Sequence, residues 1–361
     1  MTLLVSATGM TTAVGHDAAT SCAAIRAGIS RAAPIPHAAA LDPDAQALVP
    51  VIGHSVWGLT EGASAVARWQ AMAANAFRDM CESANLPVSD DGAYWSRVGL
   101  MLITPELEGV RFLFCDPCQS DAVRSSYVDP LVAKLQVPLN RDNVFLLSAG
   151  RVGAIRAIEN AKQLFARRTI DRLVVLAADS NLDAFSLLWL GESERLKAPD
   201  KPSGLMPGEA AVAIMLDDPS QVTVAPVAQK AWIKAAIADR EPEAFGERRH
   251  GAAMARALTH VLHFARLGQP FVGDLITDLN GEEWRAYEFG AAISRVDRSL
   301  LQDYQAVLPA FSTGDVGAAS ALLGTALAVR AFERRYASGS TALISCMSLS
   351  GWVGTLVLES A

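Results

Sequence analysis

Charge is scarce in this chain of 361 residues: 31 Lys and Arg stand against 38 Asp and Glu, 19% of the sequence, giving a formal net charge of −7. With 51% hydrophobic residues, that scarcity excludes a disordered or fibrous chain, because such a composition collapses around a core. Long basic runs are absent, which with the acidic balance argues against nucleic acid or an anionic membrane as the main partner. Long apolar runs are absent too. No stretch reaches the about 18 uninterrupted apolar residues of a membrane-crossing helix, and Met1–Val5 lacks both the basic region and the apolar length of a secretion signal. The reading is a cytoplasmic protein that meets proteins or small molecules.

Cysteine and histidine are equally thin. The five cysteines, Cys22, Cys81, Cys115, Cys118 and Cys346, are odd in number and scattered through apolar contexts, as reduced thiols are. Cys115-Asp116-Pro117-Cys118 is a CxxC without a second pair or clustered histidines, and His260 and His263 share a helix face without a third ligand. Neither makes a metal site, and no cofactor is expected.

What is present is an alternation of strand and helix signals. Strands are expected over Thr2–Ala7, Arg97–Thr104, Val144–Ser148, Leu173–Ala178 and Ala210–Leu216, and helices over Asp17–Ala27, with Asp17 as cap, Thr60–Ala84, Pro130–Leu135 and Gly150–Arg168. Gly9–Gly15 and Pro199–Gly208 read as loops and residues 30–60 as irregular surface. The second half repeats the grammar: strands over Trp232–Ala238, Phe271–Thr277, Thr341–Met347 and Trp352–Leu358, helices over Gly251–Leu267, Trp284–Ile293 and Val316–Tyr336. Gly150-Arg151-Val152-Gly153-Ala154 and Gly314-Asp315-Val316-Gly317-Ala318 each open a long helix at the same point of these two successions. Together they indicate a duplicated α/β unit, with halves at 1–220 and 221–361.

Three segments carry a family resemblance. Val5-Ser6-Ala7-Thr8-Gly9-Met10, continuing to Val14-Gly15-His16, is similar to the opening of the β-ketoacyl synthases of the thiolase superfamily. Leu205-Met206-Pro207-Gly208-Glu209-Ala210-Ala211 resembles their Pro-Gly-Glu-Gly-Ala segment, and Gly314-Asp315-Val316-Gly317-Ala318-Ala319-Ser320 their Gly-His-Thr-x-Gly-Ala-Ala-Gly. The resemblance implies an α/β, thiolase-like, five-layered αβαβα fold of two similar halves that forms a homodimer or heterodimer. It also implies a nucleophilic cysteine at a helix N-terminus, where the dipole lowers the thiol pKa, assisted by two His or by His and Asn.

This chain departs from that pattern at each position. Counting back without gaps from Ile170-Asp171-Arg172 places Arg151 at the nucleophile; a second register, needing three inserted residues, places Ser148 there. The two assisting residues correspond to Asn280 and Asp315, and the loop before the last strand has become Cys346–Thr355, with Trp352 where small residues are usual. An Arg at a helix N-terminus is disfavoured by the dipole by about 0.3–1 kcal/mol. Either Arg151 and Asp315 form a buried ion pair that fills a vestigial active site, or Arg151 turns to the surface.

Two functions follow. In the first, the chain is a non-catalytic binding or accessory subunit, a partner of an acyl-synthesis enzyme or its acyl carrier protein, or a co-chaperone for a secreted effector. In the second, it is an acyltransferase with an altered nucleophile. Ser148 or Cys346 leads that reading, Cys22 or Cys115 follows, and Asp315 or Glu288 is the base. Trp189 and Trp284 read as core before site wall, Glu209 as a structural carboxylate, and Arg240–Arg249 as a solvated mixed-charge loop.

Overall fold

The computed structural model describes residues 2–87, 91–107, 110–112, 120–220, 230–241, 250–267 and 270–361. Cys115, Cys118 and residues 242–249 of the mixed-charge loop lie outside the described residues, as do residues 221–229 at the expected boundary between halves. Apolar runs bounded by turns give seven strands up to residue 220: β1 (Leu3–Thr12), β2 (Ala33–Asp42), β3 (Ala47–Gly53), β4 (Val98–Thr104), β5 (Val144–Ser148), β6 (Arg172–Ser180) and β7 (Glu209–Asp217). Five follow: β8 (Ala231–Arg240), β9 (Phe271–Thr277), β10 (Leu301–Val307), β11 (Thr341–Met347) and β12 (Trp352–Ser360).

Ten of the twelve form one sheet in the order β10-β9-β11-β12-β8-β1-β7-β6-β4-β5. Its two wings are copies. Outward from the middle, β1-β7-β6-β4-β5 and β8-β12-β11-β9-β10 follow the same chain order, each with two antiparallel pairings and then two parallel ones. Pairing of Leu3–Val5 with Ala231–Ile233 joins them. The largest core lies between the wings, where the Gly153–Ala166 and Ser320–Glu333 helices pack side by side against strands of both. The Ala65–Ser83 helix covers the outside of the first wing and the Ala252–Ala265 helix that of the second. Five layers, αβαβα, result, in two similar halves.

The structure revises several expected elements. Residues 9–12 continue β1, because Gly9 lets the Ala65–Ser83 helix lie against the strand: a Cβ there would stand 2.1 Å from the Ala76 carbonyl oxygen. That helix starts after Ser64, since the Thr60 hydroxyl is drawn to buried Glu209. Residues 30–60 contain the β2–β3 hairpin. β10 and the Ala184–Glu192 helix were not anticipated.

The repeated glycine motif is offset between the halves. Gly150 (φ +54°) and Gly317 (φ +52°) each begin a single 3-10 turn that leads into the central helix. Gly150 thus matches Gly317 rather than Gly314, and Asp315 lies just upstream of the turn whose counterpart carries Arg151. The sheet order, not this motif's register, establishes the duplication.

Candidate functional site

The ends of β6, β9 and β11 and the starts of both central helices converge. Asp315 is placed by its backbone: its N–H donates to the Met206 carbonyl (2.8 Å) and its carbonyl accepts from Gly208 N–H (3.1 Å). Two of the segments that carry the family resemblance therefore touch, and Gly208 is required there, since a Cβ would lie 2.1 Å from the Thr313 carbonyl oxygen. Arg151, in the 3-10 turn before Gly153–Ala166, reaches across the interface between halves, and its Nη2 donates to both carboxylate oxygens of Asp315. Its Nη1 lies 3.2 Å from Asp278 Oδ2 and 3.4 Å from Ser320 Oγ.

The contact belongs to a larger cluster. Asn280 Nδ2 donates to Asp315 and, at 2.9 Å, to Glu282, while Asn181 Nδ2 donates to Asp315 Oδ1 at 3.2 Å. Arg285, fully buried, spans Glu282 (3.0 Å), Asp278 (3.2 Å) and the Met347 carbonyl (2.7 Å). Arg195 grips Glu282 with two bonds, 2.6 and 3.0 Å. Three guanidiniums thereby meet three carboxylates, a neutral set, as removal from water demands. Arg151 and Arg195 come from the first half; Arg285 and all three carboxylates come from the second.

Burial alone pushes the Asp315 carboxyl up, but the Arg151 and Arg285 charges outweigh it and hold the group well below the usual carboxylate range. For Glu282 burial is again overcome, here by Arg195 and Arg285, and the value falls to about 2. Burial lowers Arg151, but Asp315 and Asp278 raise it further, so it stays charged. Carboxylates held this low are weak general bases at neutral pH.

A cavity of about 670 Å³ opens beside Arg151, with Trp189, Leu190 and Leu349 on its apolar side and Glu106 and Arg111 on its polar side. Glu106 accepts from the Ser348 and Ser350 hydroxyls of the loop after β11. Arg111 is bound to Asp179 (2.8 Å), whose other oxygen accepts Ala318 N–H (2.9 Å) at the start of the second central helix. That helix end, elsewhere a ready anion site, is filled by the protein's own carboxylates, since Asp315 likewise accepts Gly317 N–H (3.0 Å).

Arg151, Asn280 and Asp315, singled out by sequence, are thus in contact. The alternative nucleophiles do not join this cluster through their side chains. Cys346 is buried in β11 with its thiol on the Arg151 and Gly354 carbonyls (3.3 and 3.8 Å), and burial, with the Asp278 charge, pushes its pKa well above the ordinary value. Ser148 is exposed at the end of β5, sharing a 2.9 Å hydrogen bond with Thr104 Oγ1. Cys22 is buried and pushed up to about 12. Glu288 is buried on the Glu283–Ile293 helix, one turn beyond Arg285. Trp189 lines the cavity, whereas Trp284 stacks on Arg285, 4.6 Å from ring centre to Cζ. Glu209 binds Val56 N–H, the Thr60 and Ser180 hydroxyls and Arg68, a structural set. His260 and His263 are exposed, and among the described residues no three His, Cys, Asp or Glu side chains are arranged to hold a metal. No described helix is long and apolar enough to cross a membrane.

Sequence reasoning missed Arg195, Asp278, Glu282 and Arg285. Only Glu282 and Arg285, three apart on one helix face, left a local signal.

No family model matches the chain, and no curated protein matches it in sequence. Solved structures do match in shape over all or nearly all of its length. The ishigamide ketosynthase/chain length factor superposes with TM-score 0.70 at 17% identity, covering 100% of this chain and 99% of that one. A type II polyketide synthase ketosynthase, in complex with its acyl carrier protein and bound to the hexaketide, gives 0.76 at 15%, again covering 100% and 99%. A β-ketoacyl synthase from Burkholderia phymatum gives 0.72 at 13%, covering 99% of each chain. This chain has the ketosynthase fold. The resemblance read from the three short segments and the thiolase-like layering agree with that fold, and the cluster around Arg151 is embedded in it.

Proposed function

We propose that this chain is a non-catalytic ketosynthase-like protein, built of halves 1–220 and 221–361, that acts in the cytoplasm as an accessory subunit of acyl carrier protein-dependent synthesis. The observation that carries the reading is the Arg151–Asp315 contact. In the register counted from Asp171, a guanidinium stands in the nucleophile's place, and its carboxylate partner and Asn280 stand in those of the assisting residues. An acyl thioester needs a thiolate or alkoxide there, and Cys346 is held protonated. Neighbours of the same fold, a ketosynthase/chain length factor and a ketosynthase in complex with its acyl carrier protein, support the choice of partner. β5, the outer edge strand of its wing, keeps Phe145, Leu146 and Leu147 half-buried and, among the described strands, pairs on one side only, with β4; it is the place where a second subunit adds to the sheet.

Incubation with an acyl carrier protein charged with an acyl group, followed by intact-mass measurement and gel filtration, tests this. Co-elution without a mass increase is expected. An acyl adduct overturns the reading, and loss of the adduct in Ser148→Ala or Cys346→Ala would locate the nucleophile.

A further inference from the structure

The cavity beside Arg151, about 670 Å³, falls in the range of about 300–1,000 Å³ that small-molecule sites occupy. Most of the charge on its wall is answered within the protein. Arg151 is held by Asp315 and Asp278, Arg195 lies between Glu282 and the Trp189 ring, and Arg111 binds Asp179 at 2.8 Å, with Asp183 at 3.8 Å. Glu241, on the same wall, accepts Ala252 N–H and Ala253 N–H (2.9 and 2.7 Å) at the start of the Ala252–Ala265 helix. Two lining charges remain, Glu106 and Arg240, and among the described residues neither forms an ion pair.

Ser350 joins these two. Its Oγ donates to Glu106 Oε1 at 2.9 Å, and its carbonyl accepts from Arg240 Nε at 3.4 Å, so a carboxylate and a guanidinium flank one residue. Glu106 is fixed in place: Ser348 Oγ donates to the same oxygen, and the side chain lies against Gly150, where a Cβ would stand 3.0 Å from Glu106 Cγ. Arg240 is the exposed member, its guanidinium 5.6 Å from the centre of the Trp352 ring. An uncharged occupant would strip water from Glu106 and return nothing; a simple amine would leave Arg240 unanswered, and a simple acid Glu106. We infer that the cavity binds a free α-amino acid with a large apolar side chain, its ammonium on Glu106, its carboxylate on Arg240 and its side chain against Trp189, Leu190 and Leu349. An ammonium and a carboxylate on one carbon match opposite charges that share one residue, and a guanidinium suits the two oxygens of a carboxylate. The inference does not rest on the carrier-protein reading, and either can fail alone.

The probes are L-phenylalanine, L-leucine and L-tryptophan, titrated by calorimetry into the full chain. Beside them stand N-acetyl-L-phenylalanine, which lacks the ammonium, L-phenylalaninamide, which lacks the carboxylate, and glycine, which lacks the side chain. Saturable binding of phenylalanine is expected, with these last three at least about tenfold weaker. Glu106→Gln should weaken phenylalanine by a similar factor while leaving the N-acetyl derivative unchanged, and Arg240→Gln should weaken phenylalanine while leaving the amide unchanged. That selectivity separates contact with the ligand from damage to the fold. If one variant fails to fold, the other variant and the derivatives on the wild type decide. Three results would each overturn the proposal: no saturable binding of phenylalanine, leucine or tryptophan; a derivative or glycine binding as well as phenylalanine; or phenylalanine binding that neither variant weakens.

Discussion

Arg151 and Asp315, 164 positions apart, meet side chain to side chain across the boundary between the two halves, and each is the other's principal countercharge. Removing one leaves the other buried and short of a partner. Asp315→Leu should cost about 3–5 kcal/mol, more than the double change Arg151→Met/Asp315→Leu, which replaces both charges by apolar groups. Urea unfolding of the two variants checks this; a double variant weaker than the single would show that Asp278 and Ser320 need Arg151 more than the pair needs itself.

Acid should unfold the protein in two stages. Burial lowers His54 to about 4 from 6.5, so the fold holds the neutral ring, and the stability tied to it is full above pH 6.5 and lost as pH falls toward 4. Asp315 and Glu282 have folded values below their unfolded ones; their contribution is full above about pH 5 and is lost between about pH 4 and 2. Stability from urea melts should fall by up to about 3 kcal/mol between pH 7 and 4, and His54→Asn should flatten that first stage while leaving the second.

Thiol labelling should report the electrostatics around position 151. At pH 8 native protein should leave Cys346 unmodified by iodoacetamide, with labelling only on unfolding. A cysteine introduced by Arg151→Cys faces the cavity beside Asp315 and Asp278, whose charges keep a thiol protonated. Adding Asp315→Asn to Arg151→Cys should therefore speed alkylation about tenfold, measured by peptide mass mapping. Equal rates would mean that the carboxylates do not set the local potential.

Close packing at two glycines predicts opposite outcomes. Gly9→Ala drives a methyl against the backbone at Ala76 and Met80 and should cost about 3 kcal/mol or more. Gly290→Ala, in the Glu283–Ile293 helix with nothing within 4 Å of the new methyl, should stabilise by about 0.5–1 kcal/mol. Thermal melts distinguish them.

If β5 adds a second subunit, Phe145→Lys should convert a dimer to monomer, because a lysine on an edge strand opposes strand addition; the melting temperature should fall as well, since Phe145 also packs against the core of its own chain. Light scattering after gel filtration reads the result, and a dimer that persists places the interface elsewhere.

Legibility in the sequence followed local pattern. β5, β9 and β11 lie where their short apolar runs place them, since a strand covered on both faces needs no other signal. β10 escaped because Gln302–Ala306 are exposed at the sheet's far edge and carry no apolar alternation, and the Ala184–Glu192 helix because residues apolar all round give no helical period. Arg151, Asn280 and Asp315 were recoverable through short motifs. Their companions were not, because the cluster joins positions from 151 to 315 that only the folded chain brings together.

The mirrored sheet order would let either half stand in for the other by shape alone. The buried charges forbid it. Within the six-residue cluster around Arg151 the first half supplies two cations, Arg151 and Arg195, and the second three carboxylates against one guanidinium, so in that cluster two first halves would confront guanidinium with guanidinium and two second halves carboxylate with carboxylate. Opposite polarity turns a repeat into a lock and its key: each half recognises the other, and rejects a copy of itself.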